Sequence, residues 1–479
     1  MELKIEKQNH FTLNERNLAV LVNSLLSAWM LAFLFEGRIF YALAEVYQIN
    51  PTGMVFGSVA AIFAGLLFCG LYIRTKRAAK RLFLYSNLYF IVVSAVFFFP
   101  PSVFWTIGMF TCSFIVGNCV AAWGFFLKSG VAKNERMKMI ADMLILSNLL
   151  MILLDTAAVY LSPQIAMALS MFLLLCASGF TLKLPSEETI PQIPPVKTGN
   201  SAGLAKPLVI LCLFIAIITI DSGLMYQVVT PAFTHLEGLT SWYWAVPYIL
   251  ALFVMRNLPR RISRTYILYA AIAMLGLSFI GYMALDRSAV SYFIINTLML
   301  GAFGICDLFW WSILGEMLEF HQNPATILGT GLAANVLGVL LGGLIGSAVM
   351  SADLSSQNSI LLALAVVCVT LALLPLLHKH LSALLKNHIY LSTFSDMSAQ
   401  QRTDRITYTA AFGNLSEREN QVTSLLIEGK TYRAIADELY ISENTVKYYV
   451  KNIYAKLEVK SRAELMTLIL DKTGAASSE

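Results

Sequence analysis

Between Ser442 and Leu457 two chemistries run down one short stretch of chain. Val446, Val450, Ile453 and Leu457, spaced by four, three and four, make a single apolar face of a helix. The opposite face carries Asn444, Lys447, Tyr448 and Lys451. Ammonium groups suit phosphates, and amide and phenol groups suit base edges or backbone, so this face is built for a polyanion with readable edges. A second set of reactive groups lies far from it, inside long apolar runs: Glu36, Arg38, Asp155, Asp221 and Asp307. A charge placed in a bilayer is costly, and residues of this kind mark binding sites by default. Arg38, Asp221 and Asp307 are therefore candidate linings of a ligand cavity, with Trp242, Trp244, Trp310 and Trp311 as candidate aromatic walls. The bland readings stay open beside these. Glu36 and Arg38 also fit an outer interface, and the tryptophans also fit a belt at the headgroups.

The polar face needs a scaffold, and the surrounding sequence supplies one. Ser416 and Glu419 have the spacing of a capping box, and Gly429 stops the helix that they start. Thr431 can cap a second helix with Ile435, Ala436 and Leu439 facing inward, and a tight turn follows at Tyr440–Ile441. Ser442 caps the third helix, and Ser461 with Glu464 opens a fourth that runs to about Leu470. Two helices joined by a short turn, the second presenting the polar face, make a helix-turn-helix. Acidic residues slightly outnumber basic ones from Leu415 to Glu479, so binding must rest on the local basic face.

The buried charges need a different scaffold. The chain has 479 residues, of which 57% are hydrophobic and only 13% charged, about half the charge of an average soluble domain. The deficit is confined to 17–377. Spans of membrane-crossing length fall near 17–36, 54–73, 82–99, 103–127, 139–161, 165–182, 207–230, 242–255, 266–285, 290–314, 325–350 and 359–377, which is twelve. Residues 1–16 are polar without a cleavage motif, so the first span is expected to persist. Alternate loops are basic: Arg74 to Arg81, Lys128 to Lys138, Lys183 to Lys206 and Arg256 to Arg264. The remaining loops hold only Arg38 and Arg287, which places both termini in the cytoplasm. The basic loops after the second and eighth spans match, and a polar, proline-bearing stretch separates them, so the spans read as two halves of six. The expected organisation is a cytoplasmic N-terminal segment (1–16), a first half (17–182), a central linker (183–206), a second half (207–377), a juxtamembrane segment and linker (378–414) and the helix-turn-helix domain (415–479). Gly338 and Gly342 have a small-xxx-small spacing that suits close helix packing.

The membrane region resembles the major facilitator superfamily in its six-plus-six topology, long central loop and basic loops. Its loop between spans two and three departs from that family's pattern, since Arg74 stands four residues after Gly70, where the family has Asp. The tail resembles the LuxR-type DNA-binding domain through Leu415-Ser416-Glu417-Arg418-Glu419, Gly429-Lys430-Thr431, Ile435 to Leu439, Ile441 to Lys447, Asn452 to Leu457 and Val459 to Leu465. That resemblance implies DNA contacts from Thr445, Lys447 and Lys451, and dimer contacts from Leu465, Met466 and Ile469. Glu458 stands where the family often has Gly, and Tyr448 and Tyr449 where smaller residues or His are common.

The fold class expected is all-α: a twelve-helix, major-facilitator-like bundle followed by a four-helix LuxR-type domain. The function expected is a membrane-embedded transcription regulator in the inner membrane of a bacterium. Its expected partners are double-stranded promoter DNA, the lipid bilayer, a second copy of the chain on DNA and an unknown small-molecule ligand. The alternative is a major-facilitator-like transporter with a regulatory DNA-binding tail. No nucleophile–base set, phosphate loop or metal-ligand spacing is present, so neither an enzyme nor a cofactor is expected. The seven cysteines all lie in apolar spans without a CxxC pair.

Overall fold

The computed structural model describes residues 14–132, 135–186, 201–258, 264–351, 356–395, 413–427, 430, 432–459, 462, 464, 465 and 468. Every regular element among them is helical. The chain divides into two compact units, one of 1–190 with 211–374 and one of 191–210 with 375–479.

The first half of the apolar region comprises α1 (Glu15–Phe33), α2 (Arg38–Val46), α3 (Thr52–Tyr72), α4 (Lys76–Ser94), α5 (Val103–Ala122), α6 (Gly124–Ser129), α7 (Arg136–Tyr160) and α8 (Pro163–Lys183). The second comprises α9 (Ser201–Ile218), α10 (Ile220–Leu224), α11 (Glu237–Tyr243), α12 (Val246–Asn257), α13 (Arg264–Ala284), α14 (Ala289–Met317), α15 (Pro324–Ser351) and α16 (Ser356–Ser395). Among the described residues, 11 helical stretches are long and apolar enough to cross a membrane. The expected seventh and eighth spans both fall within one of them, the 52-residue stretch Lys206–Asn257. At a rise of about 1.5 Å per residue that length exceeds a single crossing of about 30 Å.

This stretch is not one helix. It breaks at Thr219, passes through a π-helical turn at Met225–Val229 and then a 3-10 segment at Thr230–Leu236. Pro231 and Pro247 sit at the starts of their segments, where a missing amide donor costs no helical hydrogen bond. The expected last span, 359–377, lies within α16, which continues to Ser395.

Two glycines show how the bundle closes. A Cβ at Gly338 would collide with the carbonyl oxygen of Ala216, and one at Gly342 with that of Ile220. Backbone-to-backbone approach of α15 to α9 and α10 therefore demands these small residues. Aromatic packing fills the first half, where Trp29 stacks on Phe90 at 4.6 Å and Phe97 tilts against Trp105 at 4.9 Å. The outside stays apolar: Leu71, Val92, Leu153 and Phe172 are each more than half exposed. So many outward apolar side chains would not be tolerated in water. The protein is a multi-pass membrane protein.

The C-terminal region holds α17 (Glu417–Ile427), α18 (Tyr432–Leu439) and α19 (Glu443–Lys456). Arg462, Glu464, Leu465 and Leu468 are also helical. The capping box closes reciprocally: Ser416 N–H donates to Glu419 Oε2 at 2.8 Å, and Glu419 N–H to Ser416 Oγ at 3.3 Å. Val422, Leu426, Ile435, Val446, Ile453 and Leu465 form a core with almost no solvent exposure.

Candidate DNA-binding face and membrane cavity

Helix α19 is aimed by its apolar face. Val446, Val450 and Ile453 are buried, which turns Asn444, Lys447, Tyr448 and Lys451 outward. Ser442 caps the helix by accepting from Thr445 N–H at 3.1 Å, and its hydroxyl lies 2.7 Å from that of Thr445. Thr445 is consequently half-buried at the first turn, beside the exposed face. Lys447 pairs with Glu443 at 3.1 Å, but both side chains are about half exposed. A pair so screened contributes little, and a phosphate can displace the carboxylate.

The turn before α19 is set by Tyr440, whose φ of 55° lies in the left-handed region and whose side chain is 94% exposed. Arg462 ties the last helix to the others by donating to Lys430 O at 3.2 Å and to Leu426 O. Burial holds the Arg462 guanidinium below the usual arginine range. Of the three expected dimer contacts, Leu465 is fully buried in the core, so its side chain is committed to the fold of one copy. Met466 and Ile469 lie outside the described residues.

The membrane unit encloses a cavity of about 180 Å³ between its two halves. From the first half, α1, α3, α5 and α7 contribute, with Ser147 and Asn148 as polar groups. From the second come Tyr226, Trp244, Tyr248, Asp307, Trp311 and Asn335, among others. Tyr248 hydroxyl donates to Asp307 Oδ2 at 2.7 Å. Asp307 is half-buried and lines this space.

The structure separates the three acidic and basic candidates. Asp307 lines the cavity; Arg38 and Asp221 do not. Arg38 forms an ion pair with Glu237. Asp221 is fully buried in α10, with no hydrogen bond to either carboxylate oxygen among the described residues. Asp155 is buried against the Trp244 indole, within electrostatic reach of Arg38. Of the tryptophans, Trp244 and Trp311 line the cavity. Trp310 is buried elsewhere, and Trp242 is 42% exposed. Sequence reasoning missed Tyr226, Tyr248, Asn148 and Asn335. Their signal was a hydrogen-bonding side chain in the middle of an apolar run.

The two halves are latched across both ends of the cavity. At the end carrying the basic loops, Asp142 takes ion pairs from Arg16 and from Arg256. Arg136 there pairs with Glu319 and donates to Gly315 O at 2.9 Å. Asn323 donates to Gly70 O at 2.8 Å and to Ile73 O at 2.9 Å, holding the last carbonyls of α3. At the other end Arg38 meets Glu237, and Tyr160 hydroxyl donates to Gly238 O at 3.2 Å.

Residues 413–469 match the family described as bacterial regulatory proteins, luxR family. The spore germination protein GerE of Bacillus subtilis (strain 168) is 43% identical over 56 residues, which are 12% of this chain and 76% of that protein. The chain belongs to the luxR family. Other luxR relatives are matched over less of their length. The nitrate/nitrite response regulator protein NarP of Escherichia coli (strain K12) is 38% identical over 85 residues, 17% of this chain and 40% of that one. The transcriptional regulatory protein DesR of Bacillus subtilis (strain 168) is 43% identical over 58 residues, 12% of this chain and 29% of that one.

The remainder of this luxR-family chain has its likeness among solved structures. The human organic anion transporter MFSD10 (TETRAN) superposes with a TM-score of 0.56 at 14% identity, covering 77% of this chain and 98% of that one. The Major Facilitator Superfamily transporter FucP, in its outward conformation, gives 0.50 at 13% identity, covering 76% and 98%. At such identities the likeness establishes the fold alone. A luxR-type DNA-binding regulator domain is thus fused to a major-facilitator-like membrane domain.

Proposed function

We propose that this chain is a one-component sensor in the inner membrane of a bacterium, with both termini cytoplasmic. In this reading a small molecule occupies the cavity at Asp307, and its presence controls how the luxR domain binds promoter DNA as a homodimer. Asn444, Thr445, Lys447, Tyr448 and Lys451 contact the DNA, and Met466 and Ile469 contribute to the dimer. The observation that carries the reading is a mainly apolar cavity with a few polar groups, walled by both halves of a membrane domain, on the same polypeptide as a luxR domain.

A ligand can shift a protein between two arrangements only if it binds them with different affinity. The latches supply what could differ, because Asp142 with Arg256, Glu237 with Arg38 and Glu319 with Arg136 each join opposite halves and none is covalent. A ligand that draws the halves together strengthens some of these contacts at the expense of others.

The test is genome-wide DNA occupancy of the full-length chain in its own membrane, beside a chain lacking 415–479. Discrete peaks that depend on the tail are expected. If no condition yields peaks while vesicles take up a cavity ligand, the chain is a transporter and this reading fails.

A further inference from the structure

We propose that the cavity selects a compact organic cation, its ammonium seated against Asp307 and its apolar body among Tyr226, Tyr248, Trp244 and Trp311. This rests on the reading of the cavity as a ligand site.

Charge comes first. Among the described residues that line the cavity, Asp307 alone is ionisable as an acid or base of the carboxylate, lysine, arginine or histidine kind. Its Oδ2 accepts from Tyr248. The tyrosine orients the carboxylate without neutralising it. Glu36, Asp155 and Asp307 all lie near enough to Tyr226 to act on its hydroxyl electrostatically. Arg38, the cation on that side, is paired with Glu237. A carboxylate in a cavity walled in low dielectric favours cations over anions.

The walls then choose among cations. An inorganic ion needs several oxygen ligands, and no group of three or more His, Cys, Asp or Glu able to hold a metal exists among the described residues. Around Asp307 the lining is aromatic and aliphatic: Tyr226, Tyr248, Trp244, Trp311, Phe303 and Leu300. Aromatic rings attract ammonium groups and also pack on hydrocarbon. Size sets the last limit. The cavity of about 180 Å³ falls below the roughly 300–1,000 Å³ of sites for drug-sized ligands, so the body is a single ring or a short chain.

The experiment uses the full-length chain in lipid nanodiscs, with calorimetry and tryptophan fluorescence as readouts. The probes are benzylamine, n-butylamine and tetramethylammonium, beside benzyl alcohol and benzoate. At least one ammonium probe is expected to bind saturably. Benzyl alcohol is expected to bind at least about tenfold more weakly than benzylamine, the scale of one charge-assisted hydrogen bond, and benzoate not at all. Asp307→Asn should weaken ammonium binding by a similar factor, and Asp307→Glu should retain most of it. Should Asp307→Asn fail to fold, Tyr248→Phe serves in its place, with an expected loss of about threefold or more. Saturable binding by no ammonium, equal binding of amine and alcohol, tighter binding of benzoate, or undiminished affinity in a folded Asp307→Asn chain would each overturn the assignment. Those results leave tail-dependent DNA occupancy intact. Its loss alongside charge-selective binding would instead remove the regulator reading.

Discussion

Lys456 Nζ donates to Glu419 Oε2 at 2.7 Å, joining the last turn of α19 to the first turn of α17. The same carboxylate closes the capping box on Ser416. Glu419 is only 4% exposed, so one side chain both starts a helix and fixes the helix that carries Lys447 and Lys451. Burial alone would raise its pKa, but Lys456 and the two Ser416 hydrogen bonds together outweigh burial and hold it below the ordinary glutamate value of 4.5.

A group whose folded pKa is depressed stabilises the fold above its unfolded pKa and loses that contribution as pH falls through the folded value. Protection of α17 and α19 amides against hydrogen exchange is therefore expected to fall as the pH drops below about 4.5. In Glu419→Gln it should be lower at neutral pH and flatter with pH, with a loss of about 1–3 kcal/mol. A variant as protected as the parent at pH 7 would show that this carboxylate holds nothing.

Tyr440 and Glu458 have φ of 55° and 54°. A left-handed residue other than glycine costs roughly 1–2 kcal/mol. Tyr440→Gly and Glu458→Gly are each expected to stabilise the luxR domain by about 1 kcal/mol, read as a higher midpoint in denaturant. At Glu458 the glycine that the family often carries is thereby explained by the backbone.

Lys447→Glu combined with Lys451→Glu should abolish promoter footprints while leaving membrane insertion unchanged. Lys451→Ala alone should weaken binding across sequences and reduce the dependence of log K on log salt by about one. An unchanged salt slope would remove Lys451 from the phosphate contacts.

Arg136 is 4% exposed at its side chain and reaches Glu319, Gly315 O and Lys128 O. Arg136→Met strips one latch, the pair with Glu319 and the hydrogen bonds to two carbonyls. Exchange of amides in 315–323 should quicken by about tenfold or more, the scale of a lost charged hydrogen bond. No change there would mean that the end carrying the basic loops is held by Asp142 and Asn323 without it.

Asp221 offers a contrasting case. Replacing a buried carboxylate that has no hydrogen bond among the described residues with an apolar side chain of the same branched shape, Asp221→Leu, should raise stability by about 1–3 kcal/mol. Detergent-solubilised protein heated beside the parent would report it, and a lowered melting temperature would indicate a partner that forms in another state.

The exposed face of α19 was legible because a helix of 3.6 residues per turn assigns faces from spacing alone, and Val446, Val450 and Ile453 leave Lys447 and Lys451 one place to point. The cavity was legible only in part. Asp307 sits in the uninterrupted α14, whereas Asp221 sits in a five-residue helix between a break and a π-helical turn. Periodicity counted through those breaks loses its phase. Arg38 heads a separate short helix, and its partner Glu237 belongs to the other half, which no local pattern records. The expected seventh and eighth spans, separated by composition, fall within one stretch of broken helical segments, Lys206–Asn257, because the polar residues between them are themselves helical.

Helix α16 runs from Ser356 to Ser395 without interruption, leaving the apolar region and entering the unit that holds the luxR domain. The consequence is one of geography and stoichiometry. The reader of the gene cannot leave the lipid, so the chromosome must travel to it, and each locus is searched from a surface rather than through a volume. One polypeptide sets the ratio of membrane domains to DNA-binding domains at unity in every cell.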